Sequence, residues 1–229
     1  MENNTVFAKK ESDGINLYIR YNDNSDNNKN NDKDDVWKVW LKRFLCYIPD
    51  RSGRLSIMEN VIAKNTFAYD ATLKVVVCMG KDDKDNKKVN LKIIEEDAFK
   101  ESGLAIFLSE YRIIGEGKNP CDTDKVESGK EYQIDFLSTG TLTIQHNAFL
   151  NCHELHTVIL PQVSGTLRIE KDAFAGCSKL RTVVIPVKEK GSISISPDAF
   201  SGCRNVMFAS NNKDVVSFAR GQGFGYVGL

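Results

Sequence analysis

Residues 142–166 read LTIQHNAFLNCHELHTVILPQVSGT, and residues 167–186 read LRIEKDAFAGCSKLRTVVIP. The second line repeats the first. Leu142 and Ile144 match Leu167 and Ile169, and Asn147-Ala148-Phe149 matches Asp172-Ala173-Phe174. Cys152 matches Cys177, Leu155 matches Leu180, Val158 matches Val183, and Leu160-Pro161 matches Ile185-Pro186. Each pair is 25 residues apart, and a third copy follows at a shift of 26: Ile193, Ile195, Asp198-Ala199-Phe200, Cys203 and Val206. A fixed period of this length marks stacked supersecondary units. None of them can bury its apolar face alone.

Each station of the repeat has a physical reading. The apolar-x-apolar pair, such as Leu167 and Ile169, suits a short strand with one buried face. Asn147, Asp172 and Asp198 stand two residues before Phe, where they are expected to cap a short helical turn through their side-chain oxygens. Phe and Cys, three apart, fall on one face of that turn. Leu-x-x-Val-x-Ile-Pro then makes a second strand, which proline ends because it lacks an N–H.

The template reaches back to Ile94 with Asp97-Ala98-Phe99, and to Ile62 with Asn65-Thr66-Phe67. In all five copies an Ile stands five residues before the Phe. The wider gaps are filled by polar or glycine-rich insertions near 81–90 and 115–130, which read as surface loops. Residues 1–50 lack the repeat. Gly14 to Tyr21 alternates as a strand, Val36 to Ile48 is apolar and aromatic, and Asn22 to Asp35 is a solvated Asn/Asp loop. A terminal unit of atypical sequence is expected to cap the stack. The expected organisation is a strand-rich N-terminal cap over 1–50, repeats over 51–210, and a C-terminal cap over 211–229. In that last segment Asp214 would cap a helix reaching Arg220, and Phe224 to Leu229 would form a last strand. Strand register is open by one residue at Leu104 or Ala105. Glu131 to Phe136 is expected to lead back into the stack.

Ala-Phe-x-x-Cys-x-x-Leu-x-x-Val-x-Ile-Pro resembles the repeat of BspA-like leucine-rich repeat proteins. The resemblance covers Leu142 to Val206 closely and Ile62 to Glu110 more loosely, and it is absent before about Trp40. It implies a mainly β fold with short helical turns: a right-handed leucine-rich repeat solenoid of about five irregular coils between two caps. It also implies a bacterial surface or secreted protein, adhesin-like, that binds a host or matrix protein. Two departures stand out: the repeats are few and interrupted, and no signal peptide is present.

Composition narrows the classes. The chain has 229 residues, long enough to bury roughly 70% of its unfolded surface. Its 31 basic and 31 acidic residues leave no basic excess for nucleic acid or anionic membranes. No apolar run approaches the ~18 residues of a membrane span. Met1-Glu2-Asn3-Asn4 lacks the basic start of a secretory signal. The chain is either retained in the cytoplasm or separated from its signal, and the resemblance favours the second.

No catalytic constellation, metal site or cofactor motif emerges. Gly223-x-Gly225-x-x-Gly228 matches a dinucleotide fingerprint by letters, but only Leu229 follows and no helix can hold a phosphate. His146, His153 and His156 are expected to be solvated. Asp82-Asp83 and Asp122/Asp124 lack the spaced acidic pattern of a calcium loop. Cys152, Cys177 and Cys203 share one station and are expected to pack as a column of small apolar groups. Non-enzymatic protein binding is therefore the expected function, with a structural spacer or self-assembly module as the alternative and a monomer favoured. The expected contact surface is the outward face of the second strands: Val75, Val77, Thr157, Ile159, Thr182, Val184 and Phe208. Exposed rows of such residues are costly unless they are covered or used.

Overall fold

The computed structural model describes residues 5–11, 14–20, 36–39, 54–81, 88–109, 111–113, 131–188 and 190–229. The Asn/Asp loop from Asn22 to Asp35, the Gly115–Lys130 insertion and the acidic pairs Asp82-Asp83 and Asp122/Asp124 lie outside the described residues. So do Cys46 and Cys121. The chain forms two compact units, one from residues 1–50, 111–135 and 228–229, the other from residues 51–110 and 136–227.

The first unit holds a five-stranded sheet, antiparallel from Glu131–Phe136 through to Val36–Val39. Its order is Tyr111–Ile113, Glu131–Phe136, Thr5–Glu11, Gly14–Arg20, Val36–Val39. Thr5–Glu11 and Gly14–Arg20 are a hairpin that places Phe7 opposite Tyr18 and Lys10 opposite Ile15. Glu131–Phe136 pairs antiparallel with Thr5–Glu11, with Lys9 opposite Glu131, and the chain then leads into Ser138–Thr139 of the second unit. Its alternating pattern suits any half-buried strand and carries no information about which edge it will meet.

The second unit contains the repeats. Its largest sheet is parallel and runs in the order Gly225–Val227, Met207–Ala209, Thr182–Val184, Thr157–Ile159, Ile106–Ser109, Val75–Cys78, Arg54–Ile57. A second parallel sheet holds Val61–Ile62, Ile93–Ile94, Leu142–Ile144, Thr166–Ile169 and Ser192–Ile195. A small third sheet runs through Gln162–Val163, Ser138–Thr139, Lys88–Val89 and Gly80–Lys81. Registers follow the sequence repeat: Leu142 pairs with Leu167 and Ile144 with Ile169, while Val158 pairs with Val183. The pairing of Phe107 with Val158 makes Leu104 the equivalent of Leu155 and so fixes the open register. Both leucines are fully buried.

Between the two parallel sheets the repeated Phe residues form a column. Phe67, Phe99, Phe149, Phe174 and Phe200 stack face on face with centroids 5.2, 4.9, 4.8 and 4.9 Å apart. These steps match the strand spacing of a sheet, about 4.8 Å. Equivalent side chains therefore share one interior, together with Ile62, Ile94, Ile144 and Ile169.

The turns that carry Phe are not capped helices. Asn65, Asp97, Asn147 and Asp172 have φ of 56–58°, the left-handed region, and four residues later Tyr69, Glu101, Asn151 and Gly176 are left-handed too; Gly202 is left-handed, but Asp198 four residues before it is not. An N-cap needs extended φ, so the expected capping role fails at Asn147 and Asp172. Asn and Asp stand here because they tolerate positive φ better than other side chains. Each turn is instead held by its neighbour. Phe149 N donates to Ala173 O and Asn151 N to Ala175 O, both at 2.8 Å, and the same pair of bonds recurs from repeat to repeat.

One helix, Lys213–Gly221, follows the last repeat. Asn212 caps it, accepting from Asp214 N at 2.8 Å and Val215 N at 3.4 Å, so the cap is not Asp214. Val215 and Ala219 are buried, and the rings of Phe218 and Phe224 lie 5.9 and 6.3 Å from Phe200. Gly225–Val227 then adds the last parallel strand.

Candidate interaction surfaces

The outward positions of the largest sheet are the residues expected to meet a partner. Their strands pair in register: Val75, Ile106, Thr157 and Thr182 form one row, and Val77, Leu108, Ile159 and Val184 another. None of the expected contact residues is solvent-exposed. Val75, Val77, Thr157, Ile159, Thr182 and Val184 are 0–6% exposed. Their apolar and β-branched composition is that of buried strand positions.

Phe208 differs from the expectation in direction as well. It pairs with Val183, a core position, and belongs to the interior together with Val158 and Phe107. Met207 and Ala209 take the outward places beside Thr182 and Val184. The connection from Cys203 to Met207 is one residue shorter than that from Cys177 to Thr182. A one-residue change moves every following side chain to the other face. Asn205, left-handed at φ 58°, makes the shorter connection possible.

The cysteine column does more than fill space. Cys152 Sγ donates to Phe99 O at 2.8 Å, Cys177 Sγ to Phe149 O at 3.1 Å and Cys203 Sγ to Phe174 O at 3.2 Å. Each thiol therefore binds a carbonyl of the preceding repeat. Ser102 stands at this station one repeat earlier, 3.6 Å from Cys152 Sγ. At the first repeat the station is Asp70, whose Oδ1 accepts from Thr72 N, Thr72 Oγ1 and Leu73 N. Burial pushes the Cys203 thiol up to about 11 and raises Cys78 as well. The Cys177 thiol is raised by its contact with Cys152 and by burial. Raised, hydrogen-bonded thiols such as Cys177 and Cys203 are poor nucleophiles and poor metal ligands, whereas the hydrogen bond with Cys177 lowers the Cys152 thiol.

The three histidines do not converge. His153 Nδ1 lies 3.0 Å from Gly176 O, and His156 Nδ1 lies 2.9 Å from Thr157 Oγ1. Burial lowers the His156 pKa. His146 Nε2 lies 3.0 Å from Glu96 Oε1. Among the described residues no cluster of His, Cys, Asp and Glu could hold a metal ion, and no helix is long and apolar enough to cross a membrane. The glycine fingerprint is structural. Gly223, at φ 72°, follows the helix, and a Cβ on Gly225 would stand 2.8 Å from Met207 Cε.

The sequence reading missed a row of charges beside the second parallel sheet. Lys64 Nζ meets Glu96, and Lys64 N donates to Glu95 Oε2 at 2.8 Å. Glu96 meets His146 in the next repeat, and His146 N donates to Glu170 Oε2 at 3.2 Å in the one after. Arg168 Nε completes the row 3.2 Å from Glu170 Oε1. The Lys64 ammonium, with help from His146, holds the Glu96 carboxyl below its usual range. Lys64, His146 and Arg168 are 52, 49 and 63% exposed. Such pairs add little stability in water. Their interest is that four successive repeats hold linked polar and charged side chains, Lys64, Glu96, His146 and Glu170, in equivalent positions. The signal was available: Lys64, Glu96 and His146 each directly precede the Asn or Asp of a turn, and Glu170 lies one residue further back.

Residues 132–219 match the BspA type leucine rich repeat region, in six copies. No curated protein and no solved structure matches the chain. The matched stretch is a repeat module of a kind used in protein–protein interaction. The two earlier copies, at Phe67 and Phe99, lie outside the match but continue its ladders without a break.

Proposed function

We propose that residues 51–227 form a leucine-rich repeat solenoid of about five coils that binds a protein partner without catalysis. The in-register parallel ladders and the Phe column support the coil count. The right-handedness of parallel crossovers supports the hand. The C-terminal cap is the Lys213–Gly221 helix with the strand after it, and the N-terminal segment 1–50 is a sheet-forming unit joined by residues 111–135. The partner surface is the charged row Lys64, Glu96, His146, Glu170 and Arg168. One observation supports this choice: the row is positioned repeat by repeat, with Lys64, His146 and Arg168 52, 49 and 63% exposed, whereas Ile159 and Val184 are 0 and 3% exposed. Fixed charges set specificity and encounter rate more than raw affinity.

In biological terms this is an adhesin-like module of a bacterial surface or secreted protein, with a host or matrix protein as partner. The test is capture on immobilised extracellular-matrix proteins by the full chain and by the double variant Lys64→Glu with Arg168→Glu. Both residues are solvent-exposed, so circular dichroism should not change. Capture should weaken by at least about tenfold, ~1.4 kcal/mol. Equal capture by both chains would remove the row from the interface. Concentration-dependent light scattering with no matrix capture would favour a self-assembling spacer instead. Protease treatment of intact cells should degrade the protein if it is displayed, and protection would return it to the cytoplasm.

A further inference from the structure

The charged row sorts its side chains by sign. The station just before the Asn or Asp of each turn holds Lys64, Glu96, His146 and Lys171, and the one before that Ala63, Glu95, Gln145 and Glu170. Ile62, Ile94, Ile144 and Ile169 pair in register, so each station forms a column along the stack. Lys64, His146, Lys171 and Arg168 are exposed, whereas Glu95, Glu96 and Glu170 are half-buried. The Lys171 side chain is 69% exposed, those of Glu96 and Glu170 29 and 23%. The carboxylates are used inside the row. Glu95 Oε2 accepts from Lys64 N, Glu96 meets Lys64 Nζ and His146 Nε2, and Glu170 meets His146 N and Arg168 Nε. Acidic side chains thus link one repeat to the next, and the exposed area belongs mainly to the bases. His146 stands between two carboxylates, with Nε2 3.0 Å from Glu96 Oε1 and Nδ1 3.9 Å from Glu170 Oε2. A neutral imidazole has one N–H to donate, and an imidazolium has two. Lys64 lies beyond Glu96, Arg168 beyond Glu170, and Lys171 follows at the same station beside Asp172. A proton on His146 therefore adds positive charge to an outer surface already formed by Lys64, Lys171 and Arg168.

We propose that the row receives an acidic segment of the protein partner, held more tightly when His146 is protonated. The proposal rests on the reading of the row as the partner surface and names what that surface takes. Carboxylates of the segment pair with Lys64, Lys171 and Arg168, and the planar guanidinium of Arg168 suits a carboxylate best. Charge complementarity selects this occupant. A basic segment would meet the exposed bases first and would have to displace them from Glu96 and Glu170. A densely sulfated glycan would pair with the same bases, but Glu95, Glu96 and Glu170 interrupt them and repel it. A peptide can space its carboxylates to avoid these three, and like-charge repulsion then acts against the wrong ligand.

The probe is fluorescein-labelled deca-aspartate, titrated into the full chain by fluorescence anisotropy, with deca-lysine and a heparin oligosaccharide for comparison. Saturable binding of deca-aspartate is expected, at least about tenfold tighter than that of deca-lysine. Lys64→Glu with Arg168→Glu should weaken it by at least about tenfold. Arg204→Glu, at an exposed base outside the row, should leave it unchanged. Lowering the pH from about 8 to about 6, where histidine gains charge and aspartate keeps its own, should tighten it about threefold. His146→Gln should abolish that response and His153→Gln should keep it. No saturable binding, tighter binding of deca-lysine or of the heparin oligosaccharide, or equal affinity of the double variant would overturn the acidic segment. A pH response that survives His146→Gln would overturn the part given to His146. Matrix capture that needs Lys64 and Arg168 but is not competed by deca-aspartate would keep the row as partner surface and overturn its acidic ligand. Capture and peptide binding both indifferent to the double variant would remove the row itself.

Discussion

At residue scale the repeat is a column of equivalent positions, and each position answers to one physical demand. Phe174 lies between Phe149 and Phe200 at 4.8 and 4.9 Å and is fully buried. Phe174→Ala should cost ~3–5 kcal/mol in urea unfolding, the range for a truncated core aromatic. Phe67→Ala, at a partly buried position of the same column, should cost clearly less. Gly176 combines φ +73° with a Cβ position 2.2 Å from Asn151 Oδ1. Gly176→Ala should therefore cost about 1–2 kcal/mol from backbone strain alone, while Asn147→Gly should stay within about 0.5 kcal/mol. Failure of that contrast would mean that the left-handed turn is not what selects these residues. The Asn and Asp of the repeat were legible as special positions but not as left-handed ones. The same short side chains serve as caps and as tolerated positive-φ residues, and only the backbone angles separate the two.

At the scale of elements, the strands were placed by alternation and the turns by the Phe–Cys spacing, both local features. The errors came where length or partner mattered. The segment after Cys203 lost one residue, and Phe208 changed faces. The helix cap lies two residues before Asp214, on Asn212. Asn212→Ala should cost about 1 kcal/mol in thermal or denaturant unfolding, and Asp214→Ala less, because the Asn212 oxygen holds two backbone donors. An equal cost for both would return the cap to Asp214. The thiol column was legible as packing but not as a set of donors. A cysteine in sequence gives no sign of the carbonyl it will face, whereas Ser102 at the same station is a hint in hindsight that a donor is wanted there.

For the whole molecule, the decisive finding is that the outward positions of the largest parallel sheet have little exposed area. Ile159 and Val184 are 0 and 3% exposed. Read as surface residues, they would accept Ile159→Asp with Val184→Asp without loss of structure. Buried, the two carboxylates would have no partners, and the double variant should lose more than about 4 kcal/mol, with collapse of the near-ultraviolet dichroism. A native spectrum for this variant would restore the sheet face as an open surface. The accessible recognition feature is the charged row beside the second parallel sheet, tested above.

The sequence by itself determined the period, the shared interior and the identity of the residues that stack, because a 25-residue repeat of Phe, Cys, Leu and Val specifies its own neighbours. It did not determine which apolar face stays in water. An alternating strand reads the same whether its second side meets solvent or other parts of the chain, and that difference is made by contacts distant in sequence. Tertiary structure alone decided it, along with the direction of the turn bonds from one repeat to the next.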